Sequence, residues 1–210
     1  MTLDSKDRLK FVYYDQKEPI RHQLAEIKFK FKDRKFRFIT DAGMFSRFKV
    51  DTGTKFLLRN LDINSDDCLL DMCCGYGVVG IISAKFCKKI VMSDINERVV
   101  EMVKRNIEIN NVNADIKFVP GDLFENINLN EKFTIIATNP PLRAGMDFMT
   151  KLIEGAEKRL MKNGRLFIVA RKKQGAKEIL DKMNEFLDAD VVESGGGYRV
   201  MKGVKVYLRD

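Results

Sequence analysis

Asp71, Gly75, Gly77 and Gly80 lie within ten residues, in the segment DMCCGYGVVG. Glycines at that spacing let a backbone approach a ligand without Cβ atoms in the way. An apolar run precedes the segment and a helical pattern follows it, the setting in which a glycine loop is informative. A dinucleotide site would not want a carboxylate beside its pyrophosphate, yet Asp71 precedes the loop. Asp94 follows 23 residues later, after a second short apolar run, and Gly121-Asp122-Leu123 follows a third. Three carboxylates at three strand ends suit one crevice. Asp71 would accept from an amino-acid moiety, Asp94 from both ribose hydroxyls and Asp122 from an adenine amine. That combination favours S-adenosyl-L-methionine. The candidate cofactor set is Asp71, Met72, Cys73, Gly75, Gly77, Asp94, Ile95, Asp122, Leu123 and Asn139.

A fourth apolar run ends in Thr138-Asn139-Pro140-Pro141-Leu142. Two prolines fix a rigid loop at a strand's C-terminal end, where parallel sheets bind ligands. An exocyclic amine is a poor nucleophile because its lone pair is delocalised. The Asn139 side-chain oxygen and the Pro140 carbonyl can both accept from it, aiming the lone pair and stabilising the developing charge. Asn139, Pro140, Pro141 and Leu142 are therefore the candidate catalytic set. Positioning should dominate and no general base is demanded. No Pro-Cys pair stands ready for carbon methylation.

These residues need a frame. From about residue 66 the chain alternates short β-rich runs with helical patterns, as in a parallel α/β sheet. Strands are expected at Cys68–Met72, Ile90–Ser93, Ile116–Val119, Phe133–Ala137 and Leu166–Ala170. Helices are expected from the glycine loop to Phe86, over Glu97–Asn110 with Asn96 as N-cap, over Met146–Leu160 and over Gln174–Leu187. The Glu97–Asn110 helix shows Val99, Val100, Val103 and Ile107 on one face. Val191–Glu193, a glycine turn and Tyr198–Leu208 read as a closing antiparallel hairpin.

The first fifty residues break the alternation. Ile27–Ile39 (IKFKFKDRKFRFI) has period two and folds on paper as a hairpin about Asp33-Arg34. Phe31 then faces Phe36, and Phe29 faces Phe38. The other face carries Lys28, Lys30, Lys32, Lys35 and Arg37. Like charges opposite one another destabilise a hairpin, so such a face suggests a phosphate-binding surface. With Arg143, these cations form the candidate substrate contacts. The division expected is an extension over 1–50 and a catalytic domain over 51–210.

The 210 residues carry a net charge of +8. It is spread as +6 over residues 1–50, −3 over 51–142 and +5 over 143–210. A basic excess argues for a polyanionic partner, not for a fold. The four cysteines lack zinc-site spacing and the density of a secreted scaffold, so no metal is expected. Cys68 and Cys87 read as buried apolar residues, and His22 as a surface or packing residue. No stretch is long and apolar enough for a membrane span, and the charged N-terminus lacks a signal-peptide core, which implies the cytoplasm.

The order DMCCGYGVVG, SDIN, GDLF, TNPPL resembles the small-methyltransferase-domain family. These class I S-adenosylmethionine-dependent enzymes include bacterial ribosomal RNA guanine-N2 methyltransferases and archaeal single-domain relatives. The likeness extends upstream to Gly43-Met-Phe-Ser46 and Val50-Asp-x-Gly-Thr54, downstream to RAGMD, KQGAK and GGYRVMKG, and covers about residues 27–208. It implies an α/β, Rossmann-like, seven-stranded and mostly parallel sheet of order 3-2-1-4-5-7-6 with helices on both faces. It also implies cofactor contacts at Asp71, Gly75, Gly77, Asp94 and Asp122, with Asn139 and both prolines facing the target nitrogen. Cys73 stands where such loops usually carry Gly, and Leu142 where base-methylating relatives carry a stacking Phe or Tyr. The function expected is N-methylation of an RNA base, with guanine N2 of ribosomal RNA favoured. The alternatives are a protein amide or a small amine as acceptor, or a cofactor-binding RNA or assembly factor without turnover.

Overall fold

A computed structural model describes residues 23–96 and 98–206. The expectation for His22 lies outside those residues, as do Glu97 and Leu208 themselves. The helix expected from Glu97 begins at Val99, with Arg98 rather than Asn96 at its cap position, and the last strand ends at Val204. In chain order the elements are β1 (Ala25–Phe31), β2 (Arg34–Thr40), α1 (Thr52–Asn60), β3 (Cys68–Met72), α2 (Val78–Ser83), β4 (Lys89–Asp94), α3 (Val99–Ile109) and β5 (Asp115–Pro120). There follow β6 (Phe133–Thr138), a 3-10 turn over Leu142–Ala144, α4 (Met146–Arg159), β7 (Leu160–Arg171), α5 (Ala176–Met183), β8 (Asp188–Gly195) and β9 (Tyr198–Val204).

Seven strands form one sheet in the order β5-β4-β3-β6-β7-β9-β8, and β1-β2 form a separate two-stranded sheet. Numbered from β3, the large sheet has the order 3-2-1-4-5-7-6, parallel throughout except where β9 pairs antiparallel with β7 and β8. Every residue of β3 is buried, as a central strand covered on both faces requires. Its neighbours Leu69 and Leu70 point into different cores. Leu69 joins Leu57, Ile81, Ile82, Val103 and Phe167. Leu70 joins Phe148, Leu152, Ile179 and Met183 on the opposite face.

Several boundaries differ from the sequence reading. The helix after the glycine loop ends at Ser83 rather than Phe86, and α5 is shorter at both ends than Gln174–Leu187. β7 begins at Leu160, directly after α4, because Leu160 pairs with Phe133 before the register shifts. α3 buries Val99, Met102, Val103 and Asn106, whereas Val100 and Ile107 are half-buried. α1 was not expected at all.

The hairpin turns one residue earlier than expected. Phe31 pairs with Arg34, Phe29 with Phe36, Ile27 with Phe38 and Lys30 with Lys35. Each pairing is displaced by two residues, so every side chain keeps its face; a slip of one would have exchanged them. Ile27, Phe36 and Phe38 are buried in the α1–α2–α3 core, and Phe38 packs 5.9 Å from the Tyr76 ring. Lys32 therefore leaves the cationic face for the turn. It takes φ 51° and sets its ammonium 4.5 Å from the Phe86 ring centroid. Arg37 stays on that face but donates twice to Glu26, at 2.9 and 3.0 Å. This contact lowers the Glu26 pKa and raises that of Arg37.

Two asparagines fasten the outer edge of β2. Asn106 accepts from the Ile39 amide at 2.6 Å and donates to the Ile39 carbonyl at 2.9 Å. Asn110 does the same for Arg37, at 3.0 and 2.6 Å. Asn106 also donates to the Tyr76 carbonyl at 2.9 Å and is fully buried. Those bonds repay the desolvation of its amide.

Candidate active site

The parallel strands β3, β4 and β6 all end at one rim, and a cavity of about 560 Å³ opens there. The volume lies within the range of small-molecule sites, roughly 300–1,000 Å³. Its wall includes Asp71, Met72, Cys73, Gly75, Asp94, Ile95, Asp122, Leu123, Asn139, Pro140, Pro141, Leu142 and Arg143. Gly77 lies behind that wall. The hairpin cations Lys28, Lys30, Lys32, Lys35 and Arg37 lie outside the cavity and are all exposed.

Asp71 is buried at the end of β3, and its Oδ2 accepts from the Gly80 amide at 2.8 Å. Burial pushes its carboxyl up to about 7, against that amide's pull downward and with a further push from Asp94. A Cβ on Gly80 would sit 2.6 Å from Met92 Sδ and 3.3 Å from Asp71 Oδ2, so the third glycine serves helix–strand packing and the reach of Asp71. At Gly75 a Cβ would meet nothing within 4 Å, and φ is +52°. A side chain there is disfavoured by the left-handed backbone and would occupy open space by the loop.

Cys73 has φ 58°, a conformation costing an L-residue roughly 1–2 kcal/mol. That explains why a glycine suits this position. Burial raises its thiol pKa well above the ordinary value, as do Asp94, Asp71 and Asp122 nearby. The thiol is therefore held protonated, a packing group and not a nucleophile. All four cysteines are free. Cys68 and Cys87 are buried, as expected.

Asp94 ends β4. Its Oδ2 accepts from the Gly75 amide at 2.9 Å and its Oδ1 from the Asn96 amide at 2.9 Å. Burial raises its pKa, opposed by those amides and that of Ile95. A carboxylate has about four acceptor sites, so beside these three amides Asp94 keeps capacity for a further hydroxyl donor. Asn96 in turn accepts from the Arg98 amide at 3.0 Å.

The Asn139-Pro140-Pro141 loop ends β6, and the 3-10 turn at Leu142 carries the exposed Arg143. Leu142 packs against the core beneath the cavity instead of standing free. Asn139 donates through Nδ2 to Thr54 Oγ1 at 2.9 Å and to Asp51 Oδ2 at 3.2 Å. Asp51 caps α1, its Oδ2 accepting from the Gly53 and Thr54 amides. Tyr198, at the start of β9, donates to Asp51 Oδ1 at 3.5 Å.

Asp51, Thr54 and Tyr198 line the cavity, yet sequence reasoning gave them no role there. Asp51 three residues before Thr54 is a helix-start signal, and the pairing with Asn139 spans 88 residues. Met44 and Phe45 also line the wall, and Phe45 is exposed. Among the described residues no cluster of three His, Cys, Asp or Glu is placed to hold a metal, and no helix is long and apolar enough to cross a membrane.

The donor set fits S-adenosyl-L-methionine. One buried carboxylate and one pair of carboxylate oxygens stand at adjacent strand ends, with room in front of the loop.

Comparison with known proteins bears on the same region. The family model described as "Methyltransferase small domain" matches residues 35–202. An uncharacterized protein of Bacillus subtilis, YbxB, is 35% identical over 198 residues, which cover 92% of this chain and 98% of that protein. The ribosomal RNA small subunit methyltransferase C of Hamiltonella defensa is 34% identical, covering 71% of this chain and 43% of its own length. For the enzyme of that name in Haemophilus influenzae the values are 32%, 75% and 48%. The chain thus spans about half the length of these two methyltransferases. Among solved structures, the 16S rRNA N2 methyltransferase of T. thermophilus, in complex with AdoMet and guanosine, superposes with a TM-score of 0.80. It is 21% identical over 90% of this chain and 52% of its own, a likeness of fold.

Proposed function

Since the chain belongs to the methyltransferase small domain family, we propose that it methylates an exocyclic amine of an RNA base, guanine N2 of ribosomal RNA being favoured, with S-adenosyl-L-methionine as donor. The observation that carries this reading is a single cavity whose wall holds three strand-end carboxylates together with Asn139-Pro140-Pro141. The names of the longer relatives, of which this chain spans about half, point the same way.

When bound, the cofactor supplies an electrophilic methyl group on a sulfonium. The chain's own work is to bind and to aim. Asp71 faces the amino-acid end, Asp94 takes the ribose hydroxyls and Asp122 the adenine amine. Met72, Cys73, Gly75, Ile95 and Leu123 shape the walls. Asn139 Oδ1 and the Pro140 carbonyl accept the two N–H bonds of the target amine, turning its lone pair toward the methyl group. As charge develops on the nitrogen those two acceptors strengthen, which is the contribution that speeds the step. The surplus proton leaves to water or to one of those oxygens.

Pro141 stiffens the loop, and Leu142 gives the base an apolar contact in place of an aromatic one. Arg143, at the cavity's lip, and Lys28, Lys30, Lys35 and Arg37 on the hairpin would hold phosphates. Lys32 contributes its charge from the turn. The proposed place of action is the cytoplasm.

The test uses total RNA and protein from cells lacking this chain, offered with labelled cofactor to the purified protein. Label appearing as N2-methylguanosine is the expected result. Label confined to protein would overturn the reading.

A further inference from the structure

Asn139 is useful to an amine only if its oxygen, not its nitrogen, points into the cavity. The two ends of a carboxamide differ in nothing but hydrogen bonding, so its neighbours decide which way it faces. Here the neighbours are the cap and the first turn of α1, a helix with no assigned part in the chemistry. Asp51 Oδ2 lies 3.2 Å from Asn139 Nδ2, and Thr54 Oγ1 lies 2.9 Å from it. A carboxylate can only accept, so the NH₂ end must face Asp51. Its two hydrogens are then taken by Asp51 and Thr54, and Oδ1 is left for the cavity.

Asp51 is itself held. The same Oδ2 accepts from Gly53 N at 2.7 Å and Thr54 N at 3.4 Å, and Oδ1 accepts from Tyr198. Position 53 must also stay bare. A Cβ on Gly53 would stand 2.8 Å from Asp51 Oδ2 and 3.0 Å from the Tyr198 ring. Leu57 and Leu58 bury α1 in the core, so the holder is rigid.

We infer that Asp51 and Thr54 are positioning residues that lock the Asn139 amide with its oxygen inward, making the site a reader of N–H donors. This rests on the function proposed above only for the identity of the acceptor. A site offering Asn139 Oδ1 and the Pro140 carbonyl presents two acceptors and no donor to the reacting group. It rejects a carbonyl at that place and takes an amine. The segment Asp51-Thr-Gly-Thr54 then has a purpose for each of three members: Asp51 and Thr54 hold the amide, and Gly53 clears the space.

The test separates holding from capping. Asp51→Ser keeps a good N-cap, but its hydroxyl is too short to reach Asn139. Asp51→Asn can keep one oxygen in the Oδ2 place and turn its NH₂ toward Tyr198. Thr54→Val removes the second acceptor at constant shape.

The first readout is the side-chain NH₂ pair of Asn139 in a ¹⁵N–¹H spectrum of the whole protein, assigned by its loss in Asn139→Ala. Slow hydrogen exchange is expected in wild type and Asp51→Asn. Fast exchange is expected in Asp51→Ser/Thr54→Val. The second readout is kinetic. In Asp51→Ser, kcat should fall roughly 10- to 100-fold, as for a displaced reacting group, while cofactor affinity and melting temperature hold. Asp51→Asn should recover most of that loss. The preference for guanosine over inosine, which lacks the amine, as inhibitor should shrink in Asp51→Ser.

An Asn139 signal that exchanges equally slowly in Asp51→Ser/Thr54→Val would overturn the inference, as would an unchanged kcat in Asp51→Ser. If the signal behaves as expected while RNA takes no methyl group, the positioning stands and the assigned acceptor falls.

Discussion

Asp71 should make cofactor binding depend on pH, with a slope and a direction that its surroundings set. Its carboxyl is pushed from an ordinary 3.8 up to about 7 by burial, a rise of about three units, each worth ~1.4 kcal/mol. Without cofactor at pH 6 the group is therefore mostly protonated. A protonated carboxyl cannot pair with the cofactor's ammonium, which stays charged below about pH 7.7, so binding must expel the proton. Affinity then rises with pH, up to about tenfold per unit below 7, and levels off until the ammonium itself begins to lose its charge at about pH 7.7.

Stability runs the other way. The unfolded chain ionises near 3.8 and the folded one near 7, so the unfolded state binds fewer protons between those values. Stability of the cofactor-free protein falls as pH rises through that window, by about 4 kcal/mol at most, and by less where water in the cavity screens the charge. In Asp71→Asn the amide oxygen still accepts from Gly80, so the stability slope should largely vanish. Cofactor affinity should drop roughly 10- to 100-fold, as expected for the removal of a charge-assisted bond. Asp94, whose pKa burial also raises, should leave a smaller slope of the same sign in that variant. Titration calorimetry from pH 5.5 to 8, in buffers of different ionisation enthalpy, measures both affinity and the proton released. A wild-type affinity flat across that range, or equal slopes in the two proteins, would refute this account of Asp71.

Asn139→Ala should lower kcat about 10²- to 10³-fold, as for removal of a transition-state hydrogen bond, with cofactor affinity held; single-turnover methyl transfer checks it. Replacing Lys30 and Lys35 by Ala should lower RNA affinity and reduce the slope of log affinity against log salt by about one for each phosphate no longer neutralised. Filter binding at several salt concentrations reads that slope, and an unchanged one removes the hairpin from the RNA surface. Gly155→Ala would drive a methyl group into the Phe124 ring, costing about 1–3 kcal/mol against a helix gain of up to ~1. A melting temperature at or above wild type would show that the ring moves aside freely.

Legibility in the sequence followed the range of the interactions. β3 was readable to the residue because a central parallel strand is apolar on both faces, and the sheet order came with the resemblance. α1 was not, since Thr52, Gly53 and Thr54 are poor helix formers. That helix is made by the Asp51 cap and by burial of Leu57 and Leu58. Asn106 reads as a polar interruption of an apolar face, because its partner Ile39 is 67 residues away. The hairpin's faces were legible and its turn was not. Period two fixes sidedness, whereas the two-residue displacement depends on which aromatics the core accepts. At the site the strand-end acids stood out in sequence, whereas the α1 residues holding Asn139 became visible only across 85 and 88 residues of intervening chain.

Asn106 and Asn110 show how far a helix can stand in for a strand. Along one edge a side-chain amide presents an N–H donor and a C=O acceptor in a plane, the same pair a peptide group offers, with a second N–H to spare. Residues 37 and 39 of β2 thus find the partners that a third strand would bring. The substitution works because two periods nearly coincide. Four residues of helix rise ~6.0 Å and two residues of strand ~6.8 Å, so the mismatch is under 1 Å over one repeat. It grows with each further rung, so the ladder ends after two. Within that length the β2 edge is closed to strands from other molecules, and the basic hairpin is tied to the helix that follows Asp94.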